Sequence, residues 1–524
     1  MGITRRRALG LIAGALPAFG LRGGAEMPID AEPRLSPGIE PETGPFAASR
    51  ESLQGYQVPE WFRDAKFGIW AHWGPQSAVE FGDWYARKMY EQGSAQYDYH
   101  LAHYGHPSRF GFKDTIPSWK AERFDPGHLI RLYKKAGAKY FMSMGVHHDN
   151  FDLWNSRHNR WNAAGMGPKI DIVRAWRDAA RQEGLKFGVS EHLWITYKWY
   201  SEAHAADLTG PLAGVPYDGA AAASKDLYVD SDQVWRVLDW TEDGIPTWWK
   251  RHWHERITDL IDQHEPDFLY SDGALPFQDY GYSAVAHLYN VSARRSGGKI
   301  DAVYFSKRDL DSANGTCVLD RERGVLDGIL PRPWQSDTCI GDWHYRRGAE
   351  YKTPKMVVDL LVDIVSKNGN LMLNIPLPAS GMPDDRELAV VAGITDWMTV
   401  NAEAIHGTRP WRLFGEGAPV ESPEQNKKAF NENSRRVLDG NDIRFTAKGD
   451  VLYAFAMGRP EGRARIRSLA SGAGTAAGRI TSVELLGREG PLDWTQDGTG
   501  LSIAVPDSLP SPHAIAFRIR GAVA

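Results

Sequence analysis

Six short apolar segments recur between positions 65 and 376, and each ends in polar or aromatic residues. They are Ala65–Trp73, Ala138–His148, Leu185–His192, Asp267–Gly273, Ala302–Ser306 and Asn370–Pro376. Each has the length and the near-continuous apolar character of a strand that is buried on both faces. Such strands need helices to cover them, so the order of segments predicts an α/β fold with a parallel sheet.

Stretches with helical patterns lie between these segments. Asp125-Pro126 begins one, with Asp at the N-cap and Pro at the first helical position, and Gly137 ends it. Apolar and charged residues alternate at helical spacing from Ile172 to Glu183, and again from Trp248 to His264. Repetition of strand and helix on this scale favours an irregular (β/α)8 TIM-like barrel. A doubly wound open sheet is the alternative, but no glycine-rich phosphate loop follows any strand.

The pattern changes after Trp411. From Asp442 onward the chain has short alternating strands separated by glycine-containing turns, as in DIRFTAKGDVLYAFAM. This predicts a C-terminal antiparallel β-sandwich. The expected domains are therefore a (β/α)8-like barrel over 29–411 and a sandwich over 412–524.

Residues 1–28 have the pattern of an export signal. Arg5 to Arg7 precede an uncharged run of 14 residues, Ala8–Leu21, which is shorter than the roughly 20 residues that span a bilayer. Thr4-Arg5-Arg6 with Leu9 is typical of a twin-arginine signal, which predicts a periplasmic or secreted bacterial protein without a membrane span. An ordinary Sec signal or a lipid anchor is the alternative, although no cysteine follows the run.

Composition narrows the function classes. A net charge of −5 gives no basic surface for nucleic acid. The 20 Trp, 20 Tyr and 19 Phe indicate either a large aromatic core or binding of sugar rings. Cys317 and Cys339 are too few for a disulfide scaffold or a cysteine zinc site, and one bridge between them stays open.

Chemically active side chains gather at the predicted strand ends: His72, His147, His148, Asp149, Glu191, His192 and Asp272. In a parallel barrel these ends meet on one face, where active sites lie. Adjacent histidines on a strand point to opposite faces, so His147 and His148 can share a metal only through a loop. The chain also lacks a His-Glu-x-x-His motif, which disfavours a metal-dependent hydrolase.

A pair of carboxylates is the other candidate chemistry. Asp272 follows an apolar strand and precedes a glycine, so it is either a nucleophile for a sugar carbon or an ordinary turn residue. Its partner acid must come from another loop. Glu322 in LDRERG is one candidate, and Asp337 and Asp342 in QSDTCIGDW are others.

Four separated motifs resemble the α-L-fucosidases of glycoside hydrolase family 29. They are Trp61–Tyr90, His147–Ser156, Ser366–Pro383 and Trp397–Trp411. The resemblance covers about Tyr56 to Trp411 and implies a retaining exo-α-L-fucosidase with a barrel and a C-terminal sandwich. It implies no metal and no cofactor, and it makes a fucosylated oligosaccharide or polysaccharide the partner.

The resemblance also assigns roles. Asp272 in FLYSDG matches the family nucleophile, and Glu322 in ERGVLDGILPRPWQSDTC matches the acid/base of members with that loop. The substrate-binding residues implied by the motifs and neighbouring strand ends are His72, Asp83, Trp84, His147, His148, Glu191, His192 and Trp334.

One departure from the family keeps two alternatives open. Many fucosidases have a tyrosine near the strand end where Glu191 and His192 stand here, so an α-L-galactosidase with the same fold and mechanism is the first alternative. A carbohydrate-binding relative without catalytic activity is the second, although Asp272 and Glu322 argue against it.

Overall fold

The structure is a computed structural model that describes residues 38–229, 234, 238–418, 430–472 and 479–523. The predicted export signal lies outside the described residues. Eight parallel strands form a closed barrel in sequence order, with β1 hydrogen-bonded to both β2 and β8. The predicted barrel is therefore confirmed, and the open-sheet alternative is wrong. In the described part of the chain, no helix is both long and apolar enough to cross a membrane.

The barrel strands are β1 (Phe67–Ala71), β2 (Tyr140–Val146), β3 (Lys186–Glu191), β4 (Phe268–Ser271), β5 (Val303–Ser306), β6 (Val318–Asp320), β7 (Trp334–Cys339) and β8 (Gly369–Asn374). The helices are α1 (Arg50–Leu53), α2 (Glu60–Ala65), α3 (Tyr85–Lys88), α4 (Ala95–His103), α5 (Phe112–Thr115), α6 (Pro126–Lys135), α7 (Ile172–Gln182), α8 (Thr196–Trp199), α9 (Lys225–Tyr228), α10 (Thr247–His264), α11 (Asp279–Arg295), α12 (Asp309–Ala313), α13 (Pro354–Ser366) and α14 (Asp385–Asn401).

Helix starts follow the predicted capping chemistry. The side chain of Asp125 accepts a hydrogen bond from the backbone N–H of His128, with Pro126 as the first residue of α6. Asp171 caps α7 in the same way through the N–H of Arg174. These caps fix where each helix leaves the preceding loop, and hence where it packs against the sheet.

Two strands escaped the sequence pattern. β6 has only three residues, and β7 reads WQSDTC, which is largely polar although every residue in it is buried. The interior of a closed barrel can accept such polar strands because their side chains hydrogen-bond to one another. For example, the Gln335 amide donates to Asp320 at 2.8 Å.

Aromatic side chains fill the barrel interior, and glycines make room for them. A Cβ at Gly68 would lie 2.5 Å from the Tyr140 ring, and one at Gly188 would lie 2.1 Å from the Phe268 ring. Both distances are impossible for a real Cβ, so these strand positions must be glycine. The interior is therefore a packed core, and a ligand can enter only at the ends of the strands.

The C-terminal part contains two antiparallel sheets, as predicted. One has the strand order β13-β16-β11-β10-β9 and the other has the order β12-β15-β14. Their ranges are β9 (Gly415–Glu416), β10 (Ile443–Lys448), β11 (Val451–Ala456), β12 (Arg463–Ile466), β13 (Ser482–Leu485), β14 (Trp494–Asp497), β15 (Gly500–Ala504) and β16 (Ile515–Arg520). Phe445, Ile466, Leu501 and Phe517 belong to one apolar core that the two sheets share.

A buried ion cluster joins this sandwich to the barrel. Asp363 on α13 is fully buried and contacts Arg444 on β10, Arg435 and Lys367. The positive charges hold the pKa of Asp363 well below its usual range, against the effect of burial. Loss of one partner would leave buried charge uncompensated, so the contact fixes the sandwich against the barrel.

Candidate active site

Strand alternation directs three charged side chains into the mouth of the barrel. Each of β4, β5 and β6 has two inward-facing residues, two positions apart. They are Phe268 and Tyr270 on β4, Val303 and Phe305 on β5, and Val318 and Asp320 on β6. The residue two positions after the second of each pair is Asp272, Lys307 and Glu322, respectively. Because the side-chain period of a strand is two, these side chains project toward the same space.

That space is a cavity of about 510 Å³ at the carboxyl ends of the strands. Its lining residues are Trp70, His72, Asp83, Trp84, His147, His148, His192, Trp194, Trp240, Tyr270, Asp272, Gly273, Lys307, Glu322, Asp337, Trp343 and Phe430. Most predicted site residues are therefore brought together here. The size suits a small ligand with both polar groups and an apolar face.

One side of the cavity is charged, and we call Asp272, Lys307, Glu322 and Asp337 the carboxylate side. The Lys307 Nζ lies 2.5 Å from the Asp272 Oδ1 and also contacts the Glu322 Oε2. Asp337 accepts a hydrogen bond from the Tyr270 hydroxyl at 3.0 Å. A single ammonium thus bridges the two carboxylates that the sequence proposed as a catalytic pair.

The pKa values of the Asp272 and Glu322 carboxyl groups are shifted in opposite directions. Burial alone would raise the pKa of Asp272, but Lys307, His192 and His148 outweigh it and hold that pKa well below its usual range. Burial raises the pKa of Glu322 to about 7; Lys307 lowers it, whereas Asp337 and Asp272 add to the rise. Near neutral pH, Asp272 is therefore a carboxylate while a large share of Glu322 carries a proton.

The other side of the cavity is built from histidines, and we call it the histidine side. Its members are His72, His147, His148 and His192, which line the cavity, and His344, whose fully buried ring packs against the rings of His72 and His147. Asp83 accepts a hydrogen bond from the His344 Nδ1 at 2.5 Å and lies 3.9 Å from the His147 Nε2. Burial and the neighbouring histidines lower the pKa of both His72 and His147, so these rings are neutral near pH 7.

Several ring nitrogens on the histidine side have no protein partner among the described residues. Both nitrogens of His72, the Nε2 of His192 and the Nε2 of His344 are buried without a hydrogen bond. Unpaired buried polar atoms cost free energy and are uncommon in native folds. Because His72 and His192 line the cavity, their free nitrogens are available to hydrogen-bond a ligand there.

The histidine and carboxylate sides meet at Asp272. Its Oδ2 lies 3.0 Å from the His192 Nδ1 and 3.5 Å from the His148 Nε2. His148 also contacts the backbone carbonyl of His192 through its Nδ1, at 2.6 Å. The adjacent pair His147–His148 therefore serves two partners: His147 lies beside Asp83 and His148 beside Asp272.

Two predicted substrate-binding residues do not line the cavity. Glu191 is fully buried on the outer face of β3, where it accepts hydrogen bonds from the Leu193 N–H and the Trp253 indole. Adjacent residues on a strand face opposite sides, so only His192 of this pair points inward. Trp334 begins β7 at the far end from the cavity and donates to the Lys367 carbonyl. We correct both assignments.

Other candidates occupy different places. Asp337 lines the cavity, whereas Asp342 does not and contacts Arg346 on the half-exposed loop after β7. Asp149 is buried behind the histidines, and burial raises its pKa to about 6. Cys317 and Cys339 are both free and buried, so the optional bridge is absent.

Sequence analysis missed several residues of the site. Lys307 follows Val303 and Phe305 at the strand period, and that signal could have identified it. His344 and Trp343 lie in the loop after β7, a strand that the pattern did not detect. Phe430 comes from beyond the barrel altogether, and no local signal marks it.

The histidine side could also hold a metal by donor type. His72, Asp83, His147 and His344 place one donor atom each within 4.8 Å of one another, and His147, His148 and His192 form a second group. Nitrogen and carboxylate donors of this kind suit zinc-like ions. The same atoms are the partners that sugar hydroxyls need, so the cluster alone does not select a metal.

Comparison with known proteins identifies the family of this chain. A family model described as alpha-L-fucosidase matches residues 37–403. Tissue alpha-L-fucosidase of Rattus norvegicus is 26% identical over 481 residues, covering 88% of this chain and 89% of that protein. Plasma alpha-L-fucosidase of Homo sapiens is 28% identical over 485 residues, covering 88% of each.

Solved structures agree in fold. The crystal structure of Thermotoga maritima alpha-fucosidase in complex with fucose superposes with a TM-score of 0.67, covering 90% of this chain and 99% of that chain at 23% identity. Since the family model spans well over half of the sequence, the chain belongs to the α-L-fucosidase family of glycoside hydrolases.

Proposed function

We propose that this protein removes terminal α-L-fucosyl residues from glycans with retention of anomeric configuration. Asp272 is the nucleophile and Glu322 is the general acid/base. The observation that carries the proposal is the pair itself: one carboxyl with a pKa well below its usual range and one with a pKa of about 7, in one cavity. Pairs whose environments separate their acidities in this way perform acid–base and nucleophilic roles.

The spacing of the pair supports retention. Because one oxygen of each carboxyl contacts the same Lys307 nitrogen, those two oxygens are no more than about 5 Å apart. Retaining glycosidases hold their carboxyl groups about 5–5.5 Å apart, whereas inverting enzymes need about 6.5–9.5 Å to fit a water. The close approach of these two oxygens favours the retaining arrangement.

The reaction takes two steps. In the first, an Asp272 oxygen bonds to the anomeric carbon while the glycosidic C–O bond breaks, and the Glu322 proton passes to the leaving oxygen. In the second, Glu322 takes a proton from water, the water oxygen bonds to the anomeric carbon, and the ester bond to Asp272 breaks. Lys307 and His192 stabilise Asp272 as a carboxylate at the start and end of the cycle.

The histidine side recognises the sugar. His72, His147 and His192 offer neutral ring nitrogens to hydroxyl groups, while Asp83 orients the His344 ring through a hydrogen bond and Gln76 orients the His147 ring. Trp84 and Trp343 add apolar faces to the lining. Neutral imidazoles can donate or accept a hydrogen bond according to tautomer, which suits a ring of adjacent hydroxyls.

We also propose that the protein is exported by the twin-arginine route. The support is the sequence alone: the Arg5–Arg7 cluster, the short apolar run and the absence of a following cysteine. Replacing Arg5 and Arg6 by lysine should keep the precursor in the cytoplasm, and fractionation with immunoblotting measures this. Export of the doubly substituted protein would show a Sec signal instead.

The test of function compares 4-nitrophenyl α-L-fucoside with the matching α-L-galactoside, and follows the fucose anomer released by NMR at early times. We expect turnover of the fucoside and initial release of the α anomer. Preference for the galactoside would keep the mechanism and favour the first alternative. Initial release of the β anomer would overturn retention.

The remaining alternatives are tested in the same assay. Full activity in EDTA is expected; loss that zinc restores would support a metal-dependent hydrolase at the histidine side. Binding of fucose without turnover of any fucoside would support the inactive carbohydrate-binding relative. Binding can be followed by quenching of tryptophan fluorescence, since Trp84, Trp194 and Trp343 line the cavity.

A further inference from the structure

A stretch of chain before sandwich strand β10, beginning at Phe430, contacts the catalytic cavity. Phe430 lines the cavity, although it is far from every barrel strand in sequence. Its side chain is 55% exposed. Among the exposed large apolar side chains of the described residues, only Phe430 and Trp240 line this cavity.

Backbone hydrogen bonds fix this segment against the loop that carries Glu322. The Phe430 N–H donates to the Glu322 carbonyl at 3.1 Å, and the Glu432 N–H donates to the Arg323 carbonyl at 3.0 Å. The side-chain amide of Asn431 accepts a hydrogen bond from the Val325 N–H at 3.0 Å and donates one to the Val325 carbonyl at 2.9 Å. These hydrogen bonds therefore hold Phe430 beside the proposed acid/base residue.

The buried carboxylate of Glu432 also anchors this segment. Glu432 is almost fully buried and contacts the Arg323 Nε at 2.7 Å, the Lys352 Nζ at 3.0 Å and the Thr338 hydroxyl at 2.6 Å. These contacts hold the pKa of Glu432 below its usual value, against the effect of burial. The three partners fix the position of the Glu432 side chain, and with it the backbone next to Phe430.

The conformation of Phe430 itself indicates a function. Its φ is +62°, in the left-handed region, which bulky residues rarely adopt. The neighbouring anchors sustain this conformation while the ring stays in contact with solvent. Residues in such sparsely populated backbone conformations cluster at active sites and ligand-contact positions.

We propose that Phe430 forms the binding surface for the leaving group, the sugar ring to which fucose is attached. The inference rests on the proposed function, because a general acid must lie on the side where the leaving oxygen departs. Phe430 is the exposed apolar surface on that side. Trp240 lies instead near Trp84 and His148, with ring centroids 5.6 and 6.1 Å away, on the side of the fucosyl ring.

The chemical class of the leaving group follows from this surface. A flat aromatic ring packs against the C–H face of a pyranose and against an aryl group, but gains nothing from a leaving group without a ring. Phe430 should thus favour hexose and aryl leaving groups. It should be indifferent to a single leaving atom such as fluoride.

The experiment compares Phe430→Ala with wild type on three substrates: an α-L-fucosyl disaccharide, 4-nitrophenyl α-L-fucoside and α-L-fucosyl fluoride. We expect kcat/KM to fall about tenfold on the two ring-bearing substrates and to stay unchanged on the fluoride. Phe430→Tyr should restore it. Val437→Ala is the matched control, because Val437 follows in the same segment, is 77% exposed and does not line the cavity.

Other outcomes would overturn the inference. An equal fall on the fluoride, or a shift of the alkaline limb of the pH profile, would mean that Phe430 acts only by positioning Glu322. No fall on either ring-bearing substrate would exclude contact with the leaving group. Failure of the wild type on all three substrates would instead overturn the proposed function, so the two failures are distinguishable.

Discussion

The two sides of the cavity solve different physical problems with different residues. On the histidine side, burial lowers the pKa of His72 and His147, and several buried ring nitrogens have no partner among the described residues. The carboxylate side is ionic, and Lys307 already contacts both Asp272 and Glu322. Unpaired neutral groups recognise a ligand, whereas preset charges act on developing charge in a transition state.

This difference predicts which kinetic constants a substitution on each side will change. Changes on the carboxylate side should alter kcat and the pH profile, because they change the protonation states that the chemistry needs. Changes on the histidine side should mainly raise KM and leave the profile in place. Asp272 belongs to both sides, since His148 and His192 hold one of its oxygens, so its replacement should have the largest effect.

Asp272→Asn should lower kcat on 4-nitrophenyl α-L-fucoside by about 10⁴-fold or more, because an amide cannot form the covalent intermediate. The amide nearly matches the carboxylate in shape, so circular dichroism and the melting curve should show a folded protein. Fucose should still quench tryptophan fluorescence. Turnover close to wild type would remove Asp272 as nucleophile.

Glu322→Gln should lower kcat/KM by about 10³-fold on a disaccharide, and much less on a 2,4-dinitrophenyl fucoside whose leaving group needs no proton. In the wild type, activity should fall as pH rises through about 7, since only protonated Glu322 can donate. The variant should lack this alkaline limb. Persistence of the limb would assign it to a group other than Glu322.

Lys307→Met should lower kcat/KM by about 10²-fold and move both limbs of the pH profile upward. The ammonium lowers the pKa of Asp272 and of Glu322, so its loss raises both. Asp272 would then lose its charge at a higher pH, and Glu322 would keep its proton to a higher pH. Lys307→Arg keeps the charge and is the control. An unchanged profile in Lys307→Met would contradict the bridging role.

Sequence alone predicted the barrel because its long apolar strands and capped helices carry local signals. It missed β6 and β7 because a three-residue strand is too short for periodicity and WQSDTC lacks an apolar run. Those strands carry Asp320 and Asp337 into the interior, where burial is a property of the closed barrel. No local pattern records that closure.

The candidate site divides in the same way. Asp272, His72, His147 and His148 were predicted because they follow strong strands. Glu191 failed because the strand period was not applied to it, and the same period would have found Lys307. Phe430 depends on packing between the barrel and a distant segment, so it could be found only in the structure.

His344→Gln should have the smallest effect, with kcat/KM lowered about tenfold, mostly through KM, and an unchanged pH profile. The imidazole is fully buried; its Nδ1 is bonded to Asp83 and its Nε2 has no partner among the described residues. Glutamine can keep one of these contacts but not the geometry of both. His128→Gln on α6, outside the cavity lining, is the control. A large loss of kcat with a displaced alkaline limb would show that the histidine side also sets the acidity of Glu322, and the division between the two sides would fail.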